Sequence, residues 1–237
     1  MKPTAIVTGA TGGIGRHVVH NLIAAGYPVV AMGTRVEALE ALAAETGCSI
    51  RAVDITDASA VKEALADVDA DILVHAAGIL GPQIAIEDTP PETVANLLDI
   101  NIVGTINLLR AVLPAMKTDD TGTIILLGSI CGTVAGTGPG VYSASKAALA
   151  ALAANLRYDL RGRSIRVSEV RLGRVQTGIH DQLSVEDEFY KGYDCVLPED
   201  VASTIRHIIE SPPYVDLSTI EMMPTRQVVG GAHFTKA

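Results

Sequence analysis

Tyr142 stands one helical turn before Lys146 in the stretch Tyr142-Ser-Ala-Ser-Lys146, and Ser129 lies thirteen residues ahead of the tyrosine. Four-residue spacing puts phenol and ammonium on one face of a helix. A positive charge so placed favours phenolate and is expected to lower the Tyr142 pKa toward working pH. Such a tyrosine can give or take a proton at a carbonyl or alcohol oxygen. Ser129 could hold the same oxygen by a hydrogen bond.

A second group of residues sits at the start of the chain. Thr8-Gly-Ala-Thr-Gly-Gly-Ile-Gly15 follows an apolar run and opens a helical pattern. Gly9, Gly13 and Gly15 let the backbone turn tightly and approach a pyrophosphate, and the helix N-terminus adds free N–H groups and a positive dipole end. Thr11, Gly12 and Ile14 share that turn and join the candidate cofactor contacts. The spacing is Gly-x-x-x-Gly-x-Gly rather than Gly-x-Gly-x-x-Gly. A ribose diol would call for an acidic residue after the second strand, but Met32-Gly-Thr-Arg35 has none. Thr34 and Arg35 can instead bond and pair with a 2′-phosphate, which favours NADP(H) over NAD(H). Asp54, after the third strand, could accept from an adenine amino group or serve as a turn residue.

Positioning these groups requires alternating strands and helices. Short apolar runs predict strands over 4–8, 28–32, 49–53, 71–75, 122–127, 164–170 and 218–222. Helical patterns cover 14–25, 35–45, 57–66, 142–160 and 198–210, and a long helix starts at Pro90-Pro-Glu and ends near Pro114. That alternation predicts a doubly wound, Rossmann-type parallel sheet of seven strands with helices on both faces. No linker or repeat interrupts it, so residues 1–237 read as a single dinucleotide-binding and catalytic domain. Residues 177–197 break the rhythm with a polar, acidic run carrying His180, Tyr190 and Tyr193, and read as a substrate lid.

Composition narrows the setting. The 237 residues are 48% hydrophobic and 19% charged, with only 3% aromatics, so the core must be built from Ala, Val, Leu and Ile. A net charge of −9 with scattered basic residues argues against nucleic acid as a partner. Cys48, Cys131 and Cys195 have no metal spacing and fit a reducing, cytoplasmic setting. His17 and His20 are three apart but lack a third ligand, so no metal site is expected. The chain starts without the apolar stretch of a secretory leader, and no apolar run looks long and clean enough to span a bilayer, so no membrane role is expected.

With the glycine turn, Ser129, Tyr142 and Lys146 in order, the chain resembles the short-chain dehydrogenase/reductase family, in its compact single-domain branch. Further matches are Asp54, His75-Ala-Ala-Gly78 (both asparagines of the family's Asn-Asn-Ala-Gly replaced), Asn101 in Asp-Ile-Asn-Ile-Val-Gly-Thr, and Gly173-Arg-Val-Gln-Thr177 with Leu172 in place of proline. The resemblance implies an NADP(H)-dependent oxidoreductase that interconverts a small carbonyl compound and its alcohol, with Tyr142 as acid/base. Lys146 would hold the nicotinamide ribose and Ser129 would polarise the carbonyl. Asn101 would anchor a water on a proton relay from Lys146 outward. Val175 and Thr177 would contact the nicotinamide, while Ile55, Ala76, Ala77, Gly78 and Gly173 would complete the cofactor contacts. Arg174 could meet an acidic substrate, the pyrophosphate or solvent. The tail from Ser211 to Gln227 resembles a subgroup acting on hydroxy acids and their relatives. The family's habit of association predicts a homotetramer or homodimer through the long helix around Asn101 and the helix over 142–160. A non-catalytic dinucleotide-binding sensor on the same fold is the competing reading.

Overall fold

The computed structural model describes residues 2–178 and 194–227. Seven parallel strands form one sheet: β1 Ala5–Thr8, β2 Val29–Gly33, β3 Ser49–Ala52, β4 Ile72–His75, β5 Gly122–Ser129, β6 Ile165–Leu172 and β7 Thr219–Met222. Their order is β3-β2-β1-β4-β5-β6-β7. The chain steps outward from β1 in both directions, so the crevice between the C-terminal ends of β1 and β4 is the topological switch point where such sheets bind ligands. Central strands β1, β4 and β5 are buried along their whole length, which is why they read as unbroken apolar runs.

Helices cover both faces. One core joins α1 Gly13–Ala24, α2 Val36–Thr46 and α7 Pro198–Glu210 to the sheet through Val18, Leu22, Leu39, Leu42, Val201 and Ile205. The other packs α3 Ala58–Ala64, α5 Gly104–Asp119 and α6 Gly140–Asp159 through Val61, Leu108, Val112, Leu149 and Leu156. Local chemistry sets the ends of these helices. Asp57, expected as the first helical residue, is instead the cap of α3, its carboxylate accepting from the Ser59 and Ala60 amides. Gly47 closes α2 at φ 74°, a left-handed position that favours glycine.

The long helix differs from expectation in two ways. It is α4 Pro91–Leu98 and α5 joined through a π turn at Asp99–Val103, where the Gly104 amide reaches back to the Asp99 carbonyl. It also passes Pro114 and continues to Asp119. The combined 29 residues have a mean hydropathy of 1.4 in their most apolar window, so by length and composition this helix could cross a membrane, contrary to the sequence expectation. Its inward face nonetheless carries buried Asn101, Thr105 and Asn107 and packs on the sheet, as a core helix does. Of the stretch expected to be a lid, residues 179–193 lie outside the described residues, with His180, Tyr190 and Tyr193 among them.

Candidate active site

The glycine turn closes over the end of β1. Gly9 takes φ +62°, and a Cβ there would lie 2.7 Å from the Ala77 amide nitrogen, so the turn touches the β4 exit backbone directly. A Cβ on Gly15 would collide with the Gly9 carbonyl. One on Gly13 would sit 2.9 Å from Thr177 Cβ, which places the loop after β6 against the same turn. Gly12 caps α1 without any side-chain acceptor, so the first-turn amides around Gly13 and Ile14 face a cradle suited to an anion. Arg35 lies across its mouth. Its Nη2 donates to the Thr11 carbonyl at 2.6 Å and to Thr11 Oγ1 at 3.0 Å, with exposed Thr34 beside it. These residues fit a dinucleotide carrying a 2′-phosphate.

Asp54 accepts at Oδ1 from the Thr56 amide at 2.9 Å and from its hydroxyl at 2.8 Å, so the turn role is in place whatever else the carboxylate meets. Ile55 sends its side chain into the core against Gly104, and its carbonyl accepts from Asn107 Nδ2 at 3.0 Å. Gly78 is the floor of the central crevice: a Cβ there would lie 3.2 Å from Asn101 Oδ1 and 3.8 Å from Lys146 Nζ. Ala76, Ala77 and Gly78 therefore form one wall between the glycine turn and the catalytic candidates. Val175 is buried and bridges Val196. Gly173 is packed under Met223 and Gln227, whose Oε1 accepts from the Arg174 amide at 2.8 Å, so the tail braces this loop.

Ser129 from β5, Tyr142 and Lys146 from α6, and Asn101 from the π turn meet at this crevice. Ser129 ends β5, donates from Oγ to the Leu172 carbonyl at 3.3 Å, and accepts from the Cys131 amide at 3.2 Å. Lys146 is buried, and its Nζ donates to the Leu127 carbonyl at 2.8 Å, leaving two N–H groups for a ligand. Asn101 lies inside the π turn. Its Oδ1 accepts from the Ile79 amide at 2.9 Å, and its Nδ2 donates to the Ile79 carbonyl at 2.9 Å and to Ser145 Oγ at 3.1 Å. Both amide hydrogens are committed, so a water at this side chain would have to donate to the remaining Oδ1 lone pair.

One electrostatic expectation fails. The Tyr142 phenol is not acidified: burial pushes it above its ordinary value, a charge on Cys131 adds to the rise, and only the Ser129 hydrogen bond opposes it. Lys146 turns its Nζ to the Leu127 carbonyl and stands 5.7 Å from the Tyr142 ring centre. Burial acts on the lysine too, lowering its pKa to about 8 against the opposing pull of Cys131 and Glu169.

Sequence reasoning missed Ser145 and Thr105 as supports for these groups; Thr8 and His75 stood in the quoted motifs, but without their partners. Ser145, fully buried, donates from Oγ to the Tyr142 carbonyl at 2.7 Å and so ties Asn101 to the tyrosine's helix. Thr8, His75 and Thr105 form a further buried line described below. Ser145 lies within the Tyr-x-x-x-Lys stretch, and that position is the signal that could have flagged it. His17 and His20 sit on the surface against Glu199 at 3.1 Å and Glu45 at 3.4 Å.

Comparison with known proteins places this arrangement. The model of the short chain dehydrogenase family matches residues 3–188. Serine 3-dehydrogenase from Rhizobium radiobacter is 34% identical over 250 residues, spanning 98% of this chain and 97% of the relative. An NADP-dependent 3-hydroxy acid dehydrogenase from Salmonella typhi is 34% identical over 242 residues, spanning 95% of this chain and 96% of the relative. Among solved structures, the closed form of serine dehydrogenase complexed with NADP+ matches with a TM-score of 0.92 and 32% identity, covering 99% of this chain and 100% of that one.

Proposed function

This chain belongs to the short-chain dehydrogenase family, and from that membership we propose that it is an NADP(H)-dependent oxidoreductase interconverting a 3-hydroxy acid, serine included, with its carbonyl counterpart. The observation that carries the reading is the meeting of Ser129, Tyr142, Lys146 and Asn101 beside a glycine turn whose mouth is crossed by Arg35. The relatives named for serine and 3-hydroxy acids support the substrate class.

When bound, the reduced nicotinamide supplies the hydride. The glycine turn and α1 N-terminus hold the pyrophosphate, Arg35 and Thr34 hold the 2′-phosphate, and Asp54 with Ile55 backs the adenine. Lys146, with two N–H groups to spare, holds the ribose hydroxyls. Val175, Thr177 and Gly173 bound the nicotinamide pocket. Ser129, whose hydroxyl can swing from the Leu172 carbonyl at 3.3 Å, donates a hydrogen bond to the substrate oxygen. Tyr142, kept protonated by burial, delivers its proton to that oxygen as the carbonyl becomes an alcohol. Reprotonation runs by way of Lys146 and a water at Asn101. In the reverse direction the phenolate takes the hydroxyl proton.

Self-association through α4, α5 and α6 is part of the same proposal, supported by Leu98, Val103 and Ile106, which are 37%, 41% and 38% exposed along one helix. Three free cysteines support a reducing, cytoplasmic setting. The function is tested by mixing the purified chain and NADP+ with L-serine, 3-hydroxypropanoate and 3-hydroxybutanoate, and following NADPH absorbance. Turnover of at least one, with NADP+ preferred to NAD+, is expected. Inactivity toward all three, in both directions, would sink the substrate assignment.

A further inference from the structure

His75 ends β4 beneath the crevice, is only 3% exposed, and has both ring nitrogens engaged. Nδ1 is 2.7 Å from Thr8 Oγ1, and Nε2 is 2.8 Å from Thr105 Oγ1. Thr105 Oγ1 is also 2.8 Å from the Asn101 main-chain carbonyl, and Thr8 Oγ1 accepts from the Ala77 amide at 3.3 Å.

Proton counting orients this line. Thr105 has one hydroxyl hydrogen, and a carbonyl can only accept, so that hydrogen goes to Asn101. The Nε2 contact then requires His75 to donate. Thr8 has one hydroxyl hydrogen as well, and it goes to Nδ1, leaving the Thr8 oxygen to accept from Ala77. Every donor finds an acceptor with the ring neutral and Nε2 protonated. A second ring proton would face the Thr8 hydroxyl hydrogen, in a buried setting with the Lys146 charge nearby. Burial and the Lys146 charge accordingly hold the imidazole pKa at about 3.

We propose that His75 is a positioning residue for proton transfer, which fixes the Asn101 main chain through Thr105 and locks it to the glycine turn through Thr8. The line continues past Asn101, whose Nδ2 bonds Ser145, which in turn bonds the Tyr142 carbonyl. One buried path of hydrogen bonds thus joins the cofactor turn at Thr8 and Ala77 to the helix bearing the acid. The π turn is where it matters most. A helix with an i→i+5 insertion has an alternative, regular register, and the Thr105–Asn101 bond held by His75 favours the one that turns Asn101 inward. The inference rests on the proposed function for its consequence in turnover, but not for the hydrogen-bond line itself.

The two halves of the line can be broken separately. Glutamine reaches where Nε2 reaches, and asparagine only where Nδ1 does. His75→Gln keeps the bond to Thr105, while His75→Asn and the near-isosteric Thr105→Val lose it. With whichever of L-serine, 3-hydroxypropanoate or 3-hydroxybutanoate the wild type oxidises fastest, kcat is expected to fall about tenfold or more in His75→Asn and Thr105→Val, and roughly threefold or less in His75→Gln, with KM for NADP+ little changed. The double variant His75→Asn/Thr105→Val should be no slower than either alone. Equal losses in Gln and Asn variants, or additive losses in the double variant, would reduce His75 to core filling and overturn the proposal. Nitrogen-15 spectra of histidine-labelled wild type give a second readout that needs no turnover. A neutral His75 protonated at Nε2 at pH 7, with Asn101 side-chain amide signals that move in Thr105→Val, is expected. An Nδ1-protonated or charged ring, or unmoved Asn101 signals, overturns the proposal. If the wild type turns over none of the probes, the proposed function fails and the spectra alone decide the relay.

Discussion

Replacing Lys146 with methionine should make the protein more stable and inactive. The lysine is buried, with one hydrogen bond, from Nζ to the Leu127 carbonyl at 2.8 Å. Its pKa falls from 10.5 to about 8, and burial is the leading cause. At about 1.4 kcal/mol per pH unit, keeping this ammonium charged in the fold costs about 3 kcal/mol at neutral pH. Methionine fills a similar volume without the charge but leaves the Leu127 carbonyl without this donor, at a cost of about 1–2 kcal/mol. The net is a gain of about 1–2 kcal/mol, or roughly 2–8 °C in melting temperature for a chain of this size. The pH dependence carries a definite sign. The folded pKa lies below the unfolded one, so between about pH 8 and 10.5 the unfolded chain binds more protons and wild-type stability rises with pH. The advantage of Lys146→Met should therefore be full at pH 7 and shrink by pH 9.5. Melting curves of both proteins at the two pH values, beside hydride-transfer assays, check this. A variant that melts well below wild type at pH 7, or a difference that is the same at both pH values, would refute the reasoning about the buried charge.

Other perturbations follow from the same geometry. Arg35→Ala removes the guanidinium at the Thr11 carbonyl, and fluorescence titration should show NADPH binding weakened about ten- to hundredfold with NADH binding little changed. Gly15→Ala forces a methyl group into the Gly9 carbonyl; it should destabilise the chain by about 1–3 kcal/mol in urea and abolish cofactor binding. The His75 pKa, about 3 against an ordinary 6.5, gives stability that is present above pH 6.5 and is lost as pH falls toward 3. Between pH 7 and 5, wild type should therefore lose about 2 kcal/mol more than the non-titrating His75→Gln, as read from urea midpoints.

Much of the fold was legible because the sequence punctuates it clearly. The boundaries of α7 match the expected ones, since Pro198 opens it and Pro212-Pro213 follow it. The strand ends came within one residue, except where β5 and β6 run two residues further, to Ser129 and Leu172, because apolar patterning stops before the hydrogen-bonded ladder does. The π turn at Asp99–Val103 was not legible, since an inserted residue in a helix leaves no residue-type signature. Pro114 was read as an ending, but the missing N–H and ring of a proline can be borne by a long, well-packed helix. Around the site, spacing showed which groups could face one another but not how dry their surroundings are. Hence Tyr142 and Lys146 were found, while the direction of the Tyr142 shift was not. Thr8 and His75 stood in recognised motifs, but their bonds to each other and to Thr105 stayed hidden because the partners lie 67 and 30 residues apart in sequence and meet only once β1, β4 and α5 have packed.

The most direct test of the proposed chemistry is Tyr142→Phe, which removes the acidic oxygen and leaves the ring. Hydride transfer between NADP+ and the fastest of the three hydroxy acids should fall at least about a hundredfold, while NADPH binding by fluorescence stays within about threefold of wild type. Retained turnover with intact cofactor binding would contradict a tyrosine acid at this site.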